Sequence, residues 1–412
     1  MRILILTQYF PPETGAPQNR LFEIASRLVK AGDEVTVLTA MPNYPKNQIF
    51  SDYKGKLFFR EEMDGIKLFR AWIYVGKSRS VMARLFNYFS FVFTSLLRGL
   101  FIRGRYDYVL CESPPLFLGI TAVILSRFKR ARLIFNVSDL WPESAEKLGI
   151  ISNKVVLRMA ERLELWLYRK SSVISGQTQG IVANISSRTD RKDIIWLPNG
   201  VDSDLYDPNK ETGAWRQEQG FLDSDFLIFY AGIIGYAQGL EVIVKAAGML
   251  REEPNIKFIL IGDGPEKEKL MAMTRNAGLN NLVFLPNQPK AKMPAIIKAC
   301  DASVIPLKRL PLFLGAIPSK LFEVLAMKKP ILLGVEGEAK QLFIDQGKSG
   351  LAFEPENAQD LANKAMLLYS GSEYCALLGE NGYRYVREKF NRNLIAERFR
   401  KELLLRLGQK NK

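Results

Sequence analysis

The chain of 412 residues contains no histidine. That absence excludes Ser-His-Asp and Cys-His nucleophile systems and every histidine-ligated zinc site. Proton transfer is left to carboxylates, Lys, Tyr, Cys or the substrate itself. Cysteine is scarce as well. Cys111, Cys300 and Cys375 stand far apart, form no CxxC metal motif and outline no disulfide framework, which fits a reducing cytosol. No uninterrupted apolar run reaches spanning length. The longest, residues 85–102, is broken by Asn87, Ser90, Thr94, Ser95 and Arg98. Met1-Arg2 leads directly into Ile3-Leu4-Ile5-Leu6, a run too short for a signal-peptide core.

Acidic residues are unevenly absent. The formal charge is +15, of which +12 falls on residues 1–200 and +3 on residues 201–412. Residues 67–106 hold eight basic side chains and no acidic one, interleaved with Phe69, Trp72, Tyr74, Phe86, Tyr88, Phe89, Phe91, Phe93 and Phe101. Such a surface suits nucleic acid, anionic lipid or a polyphosphorylated ligand. Periodicity leaves two readings of residues 85–102: a helix lying in the headgroup plane, or a core helix.

Short apolar strands alternate with helical stretches along the whole chain. Residues 2–7, 34–39, 108–111, 132–137, 173–175 and 194–197 read as strands of the first half. Residues 226–231, 257–261, 282–285, 303–307 and 330–333 read as strands of the second. Segments such as Leu133-Ile134-Phe135 suit parallel strands covered on both faces. The pattern predicts an α/β chain of two doubly wound domains. The seam lies near residues 199–215. The first domain takes residues 1–200 plus a tail, 385–412, read as one long amphipathic helix, and the second takes residues 201–384.

Ligands of open α/β sheets bind beyond the carboxyl ends of the strands. Residues 226–231 run into Gly232-Ile233-Ile234-Gly235-Tyr236-Ala237-Gln238-Gly239, and residues 257–261 into Gly262-Asp263-Gly264-Pro265. Glycines there let backbone approach a phosphate-bearing ligand, although each turn also reads as a plain strand-to-helix connection. In Ile317-Pro318-Ser319-Lys320-Leu321-Phe322-Glu323, Lys320 and Glu323 share a helix face, as a ligand pair or an ordinary ion pair.

These motifs, in order with Pro198-Asn199-Gly200-Val201-Asp202, resemble the family-4 retaining glycosyltransferases of GT-B fold. Residues 9–16 (YFPPETGA) and Asp139-Leu140-Trp141-Pro142-Glu143 resemble its WbuB-like branch, the N-acetyl-L-fucosamine transferases of O-antigen and capsule assembly. The resemblance implies two Rossmann-like domains facing a cleft, with a C-terminal helix crossing back to the first. It implies a UDP-sugar donor on the second domain and an acceptor, an undecaprenyl-diphosphate-linked sugar, on the first. Glu323 would bind ribose, Lys320 the diphosphate, and Gly232, Gly235, Gln238, Gly262 and Gly264 would line the donor. Leu285 and Asn287 would flank the base, and Gly15 and Ala16 would close over the diphosphate. Asp139 is the catalytic candidate of the first domain, with a helix cap as its other reading. Arg79, Arg84, Arg98 and Arg103 are the candidate membrane and acceptor contacts.

The sequence departs from that family at three places. Gly315 stands where many members carry the first Glu of a Glu-x7-Glu pair. Ile234 and Gln238 stand near the usual Arg and Lys, with Lys320, Lys308 or Arg309 as substitutes. Ser138 replaces the histidine before Asp139. Retaining transfer of this kind needs no histidine, metal or other cofactor. The leaving phosphate takes the acceptor proton, and the protein positions groups and stabilises charge. Asp202-Ser203-Asp204 and Asp223-Ser224-Asp225 read as turn and cap residues. The expectation is a cytoplasmic enzyme held peripherally on the inner face of a bacterial plasma membrane. The competing readings are a sugar-nucleotide epimerase and a non-enzymatic membrane or nucleic-acid-binding protein.

Overall fold

The computed structural model describes residues 1–13, 15–44, 47–76, 81–147 and 151–408. The chain forms two compact units, Met1–Asn199 with Arg392–Lys412, and Gly200–Asn391.

In the first unit, eight strands form one sheet: β1 (Arg2–Leu6), β2 (Glu34–Ala40), β3 (Phe58–Met63), β4 (Ile66–Ala71), β5 (Tyr108–Ser113), β6 (Arg132–Val137), β7 (Val173–Gly176) and β8 (Ile195–Trp196). Their order is β3-β4-β2-β1-β5-β6-β7-β8. All neighbours are parallel except β3 and β4. Side chains alternate across a strand, so each apolar strand feeds two cores. Leu4, Leu6, Val109, Leu133 and Phe135 pack on one face, and Ile3, Ile5, Tyr108, Leu110 and Ile134 on the other.

The β3–β4 hairpin was not expected. Its signal is Asp64-Gly65, both at positive φ (49° and 75°), between two six-residue segments. It corrects the reading of residues 67–106 as one basic surface. Arg70 lies fully buried, donating to the carbonyls of Pro11 and Ala40 and pairing with Glu61.

In the second unit, β9 (Phe226–Ala231), β10 (Ile256–Ile261), β11 (Leu282–Leu285), β12 (Ala302–Pro306), β13 (Ile331–Gly334) and β14 (Gly350–Ala352) form an all-parallel sheet ordered β11-β10-β9-β12-β13-β14. The order reverses between β9 and β12 here, and between β1 and β5 in the first unit. These are the switch points where open α/β sheets take ligands.

The tail differs from the expected single helix over 385–407. Helix Ser372–Lys389 stops, and a new helix, Arg392–Gly408, begins. The physical reason is aromatic packing: Tyr385 and Phe390 stack against Phe343, and Phe390 also against Phe322, all within the second unit. Only residues from Arg392 onward join the first unit. Ile395, Phe399 and Leu403 enter its core, Arg400 pairs with Asp33 at 2.7 Å, and Arg392 pairs with Glu23 at 2.9 Å. Counted by unit, the charge is +17 (36 Lys/Arg, 19 Asp/Glu) against −2 (22 against 24). The returning helix therefore sharpens the asymmetry.

Candidate functional site

At the β9/β12 switch point, Lys320 opens helix Lys320–Ala326. Its Nζ lies 3.7 Å from the centroid of the Tyr230 ring at the end of β9. A Cβ on Gly232, at φ 146°, would stand 3.0 Å from that Nζ. Gly232 is thus left bare in front of a cation. Burial pushes the Lys320 amine down to about 7, and the neighbouring Glu323 carboxylate opposes the drop. Lys320 keeps some open surface, so solvent offsets part of this effect. Glu323 is half-buried one turn further on.

Gly235 caps and Gln238 ends a short turn, Tyr236–Gln238, that separates the β9 end from helix Glu241–Met249. The amide of Lys308 donates to the Ala237 carbonyl at 3.0 Å, and its ammonium stands 3.7 Å from the Tyr236 ring centroid. Lys308 is therefore joined to this turn. Arg309 is taken by Glu354 at 2.7 Å and Glu336 at 3.7 Å. Lys308 and Arg309 line a cavity of about 330 Å³ with Leu310, Leu314, Val335 and Glu336 among others. Gly315, where many members of the resembled family carry a Glu, has open space around its Cβ position.

Gly262 and Gly264 have a different reason to be glycine. A Cβ on Gly262 would fall 1.9 Å from the Gly232 carbonyl oxygen, and one on Gly264 2.3 Å from that of Ile234. Ile234 N–H donates to Asp263 O at 2.9 Å, locking the two turns together. These glycines support the Gly232 turn, and their neighbours account for them without a ligand. Leu285 ends edge strand β11 and accepts from Gly262 N–H at 3.1 Å, with Asn287 exposed beyond it. Asp202 accepts from the Asp204 amide and Asp225 from the Leu222 amide, both as turn residues.

In the first unit, Gly15 and Ala16 open helix Ala16–Lys30, and a Cβ on Gly15 would meet Gln18 Oε1 at 2.4 Å. Thr14 lies outside the described residues. Glu13 of the same motif is a clamp. Its buried carboxylate accepts the amides of Asn43 (2.8 Å), Tyr44 (2.9 Å) and Phe10 (3.2 Å), tying the loop after β1 to that after β2.

Asp139 follows β6 with solvent-open surface. Surrounding protein raises its carboxyl above the ordinary range, while the Ser144 hydroxyl and Leu140 amide hold it down. The next helix, Glu143–Lys147, begins four residues later, so Asp139 is not its N-cap.

Beside Asp139 lies a buried network that sequence reasoning missed. Glu112 at the end of β5 receives Arg20, Ser138 Oγ and Asn136 Nδ2, the last at 2.7 Å. Ser175 Oγ donates to Asn136 Oδ1 at 2.7 Å. The available signal was a polar residue inside each apolar strand: Glu112 in β5, Asn136 in β6 and Ser175 in β7. Gln8, past the end of β1, donates to Asn87 Oδ1 at 2.8 Å, while its buried Oε1 has no hydrogen-bond partner among the described residues.

Asn87 belongs to helix Val81–Phe101, which takes in nearly all of residues 85–102. Its inner face carries Phe91, Ser95 and Gly99, all buried, and Thr121 Oγ1 from the neighbouring helix donates to Val92 O at 2.9 Å. Its outer face exposes Phe86, Phe89, Phe93, Leu97 and Phe101, three or four residues apart. No helix among the described residues is long and apolar enough to cross a membrane. Phe89 stacks on Phe117 (4.7 Å) and Phe117 on Trp141 (5.5 Å), linking this face to the Asp139 loop. Arg103 is exposed past the helix. Arg98, expected among the membrane and acceptor contacts, folds over the rings of Phe58 and Phe69 (5.4 and 5.0 Å). Arg79 lies outside the described residues, as does the Arg84 side chain.

Comparison with known proteins agrees with this geometry. The family model described as "Glycosyl transferase 4-like domain" matches residues 15–200, and that described as "Glycosyl transferases group 1" matches residues 211–385. The chain is 27% identical to WcaI of Escherichia coli K12, a protein whose name assigns it to colanic acid biosynthesis, over 89% of this chain and 93% of that one. Sucrose-phosphate synthase of Thermosynechococcus elongatus superposes with a TM-score of 0.78 at 15% identity, covering 100% of both chains. HepE of Anabaena, solved with UDP-glucose, superposes with a TM-score of 0.72 at 19% identity over 98% of this chain and 99% of that one.

Proposed function

The chain belongs to the family-4-type glycosyltransferases of GT-B fold, and we propose that it moves a sugar, with retention, from a UDP-sugar held by the second unit to a lipid-diphosphate-linked sugar held by the first. The observation that carries this reading is the Lys320 ammonium, stored over Tyr230 and facing bare Gly232 at the β9/β12 switch point. A diphosphate against Gly232 meets that cation, and Glu323 one turn away accepts from ribose hydroxyls. Lys308 adds a second positive charge beside the same turn.

During transfer the C1–oxygen bond to the diphosphate breaks and the acceptor hydroxyl bonds C1 on the same face. Its proton passes to the departing phosphate oxygen. The chemistry needs no histidine, and no metal or other cofactor is assigned a step. Lys320 and Lys308 stabilise the charge gathering on the diphosphate. Asp139, solvent-open and beside the Glu112 network, orients the acceptor hydroxyl. The donor sugar is N-acetyl-L-fucosamine and the product an O-antigen or capsule precursor, a reading that rests on the residues 9–16 and 139–143 motifs. The acceptor is an undecaprenyl-diphosphate sugar, and the aromatic face of Val81–Phe101 holds the enzyme peripherally on the cytoplasmic side of an anionic plasma membrane.

Replacing Lys320 or Glu323 by Ala tests the donor site. Each substitution lowers kcat/KM for a UDP-sugar by about tenfold to a hundredfold, the effect of losing one charge-assisted contact. Unchanged turnover in both folded variants would refute the placement.

A further inference from the structure

The Val81–Phe101 helix runs across the sheet. Asn87 meets Gln8 at the carboxyl edge, and Phe101 lies about 21 Å further along the axis, at 1.5 Å per residue. There, at the opposite edge, Arg2 begins β1, Glu34 begins β2 and Lys67 is the second residue of β4. These residues, with Arg60, Phe101 and Arg103, line a cavity of about 300 Å³. Its lining holds four cations and one carboxylate. Glu34 is shared between Arg2 (3.2 Å) and Lys67 (3.9 Å), while Arg60 stacks on Phe69 at 5.5 Å. Arg98 stands over the same Phe69 ring, with its buried Nε lacking a hydrogen-bond partner among the described residues. The lining therefore carries net positive charge, and it lies too far from the strand ends at the switch point to belong to the acceptor site.

We propose that this cavity binds the phosphate headgroup of an anionic membrane lipid. The proposal rests on the membrane reading above. Phe101, 77% exposed, is both the last member of the aromatic stripe and part of the cavity wall. Apolar and cationic surfaces are continuous there, as a lipid with buried chains and a charged head requires. A free anion has no use for the stripe. Occupied at this end, the helix lies along the membrane with its Asn87 end, and so the acceptor side of the sheet, brought to the same surface.

Flotation with vesicles of phosphatidylcholine alone, and with added phosphatidylglycerol, tests it. Arg60→Gln with Arg103→Gln removes two cavity charges. Lys170→Gln with Lys192→Gln removes two exposed charges at the β7–β8 edge of the sheet. The cavity pair loses about thirtyfold in affinity for phosphatidylglycerol vesicles, at about 1 kcal/mol per basic residue, and the edge pair loses less than about threefold. Equal losses in the two pairs overturn the cavity while leaving the membrane reading intact. Failure of the unaltered protein to float with any vesicle overturns the membrane reading, and the cavity with it. Calorimetric binding of inorganic phosphate that the cavity pair abolishes, with vesicle flotation of that pair unchanged, overturns the lipid in favour of a free anion.

Discussion

If the Lys320 amine meets the donor diphosphate, donor binding depends on pH in a defined direction. Burial brings this amine down to about 7 in the unliganded protein, and residual solvent contact places the break at or above that value. A bound diphosphate favours the ammonium and raises its pKa. Above the break, binding therefore takes up a proton, and the dissociation constant rises by close to tenfold per pH unit, or about 1.4 kcal/mol. Calorimetric titration with UDP between pH 7.5 and 9, in buffers of unlike ionisation enthalpy, reads both quantities. Lys320→Met is the blank, because it cancels the nucleotide's own ionisation. The unaltered protein takes up most of one proton and weakens with pH, whereas the variant does neither. The same group has a converse effect on stability. Between its folded value and the ordinary lysine range, the unfolded chain binds more protons, so the unliganded fold gains stability as pH rises through that window. Equal proton uptake in both proteins, or flat affinity from pH 7.5 to 9, would refute the assignment.

Other expectations follow from the same geometry. Asp139→Asn lowers transfer by about a hundredfold or more while leaving UDP affinity within about twofold, since the residue lies on the other unit; parallel kinetics and titration check the split. Gly262→Ala places a Cβ 1.9 Å from the Gly232 carbonyl oxygen at φ 152°. It costs about 2 kcal/mol or more in chemical denaturation, and it weakens UDP binding through the displaced Gly232 turn. Phe89→Ser with Phe93→Ser removes two exposed rings from the outer helix face, each burying on the order of 150 Å² at a membrane. Vesicle flotation falls by tenfold or more with the fold unchanged by circular dichroism.

Much of the architecture is legible in local pattern. The β1, β6, β9 and β10 segments are short apolar runs bounded by turns, and nothing in their neighbourhood competes with that reading. The hairpin was missed because Lys67, Phe69 and Arg70 were weighed as surface charge and aromatics. Yet Arg70 is buried by carbonyls of Pro11 and Ala40 that lie 59 and 30 residues away. The tail misled for a similar reason. Helical spacing runs through residues 385–407, but Phe390 is held by Phe322 and Phe343, so the helix breaks where the chain leaves one unit for the other.

The candidate site divides along the same line. The motifs at residues 232–239, 262–265 and 317–323 are continuous strings, and each turn or helix start is set by residues a few positions apart. Sequence alone therefore places them after strands and names Lys320 and Glu323. It also shows the missing histidines and the excess of basic residues in the first half. Only the tertiary structure decides which groups meet. Lys320 faces Gly232 because parallel β9 and β12 lie side by side although some 75 residues separate them. By the same means Arg20, Glu112, Ser138 and Asn136 converge into one network, and Gly262 turns out to serve Gly232. The absence of acid between residues 67 and 106 likewise changes meaning. Folding buries Arg70, stacks Arg98, and gathers Arg103 with Arg2 and Arg60 at the far edge of the sheet. Side-chain direction and strand order assign these places, and both depend on contacts across the whole chain.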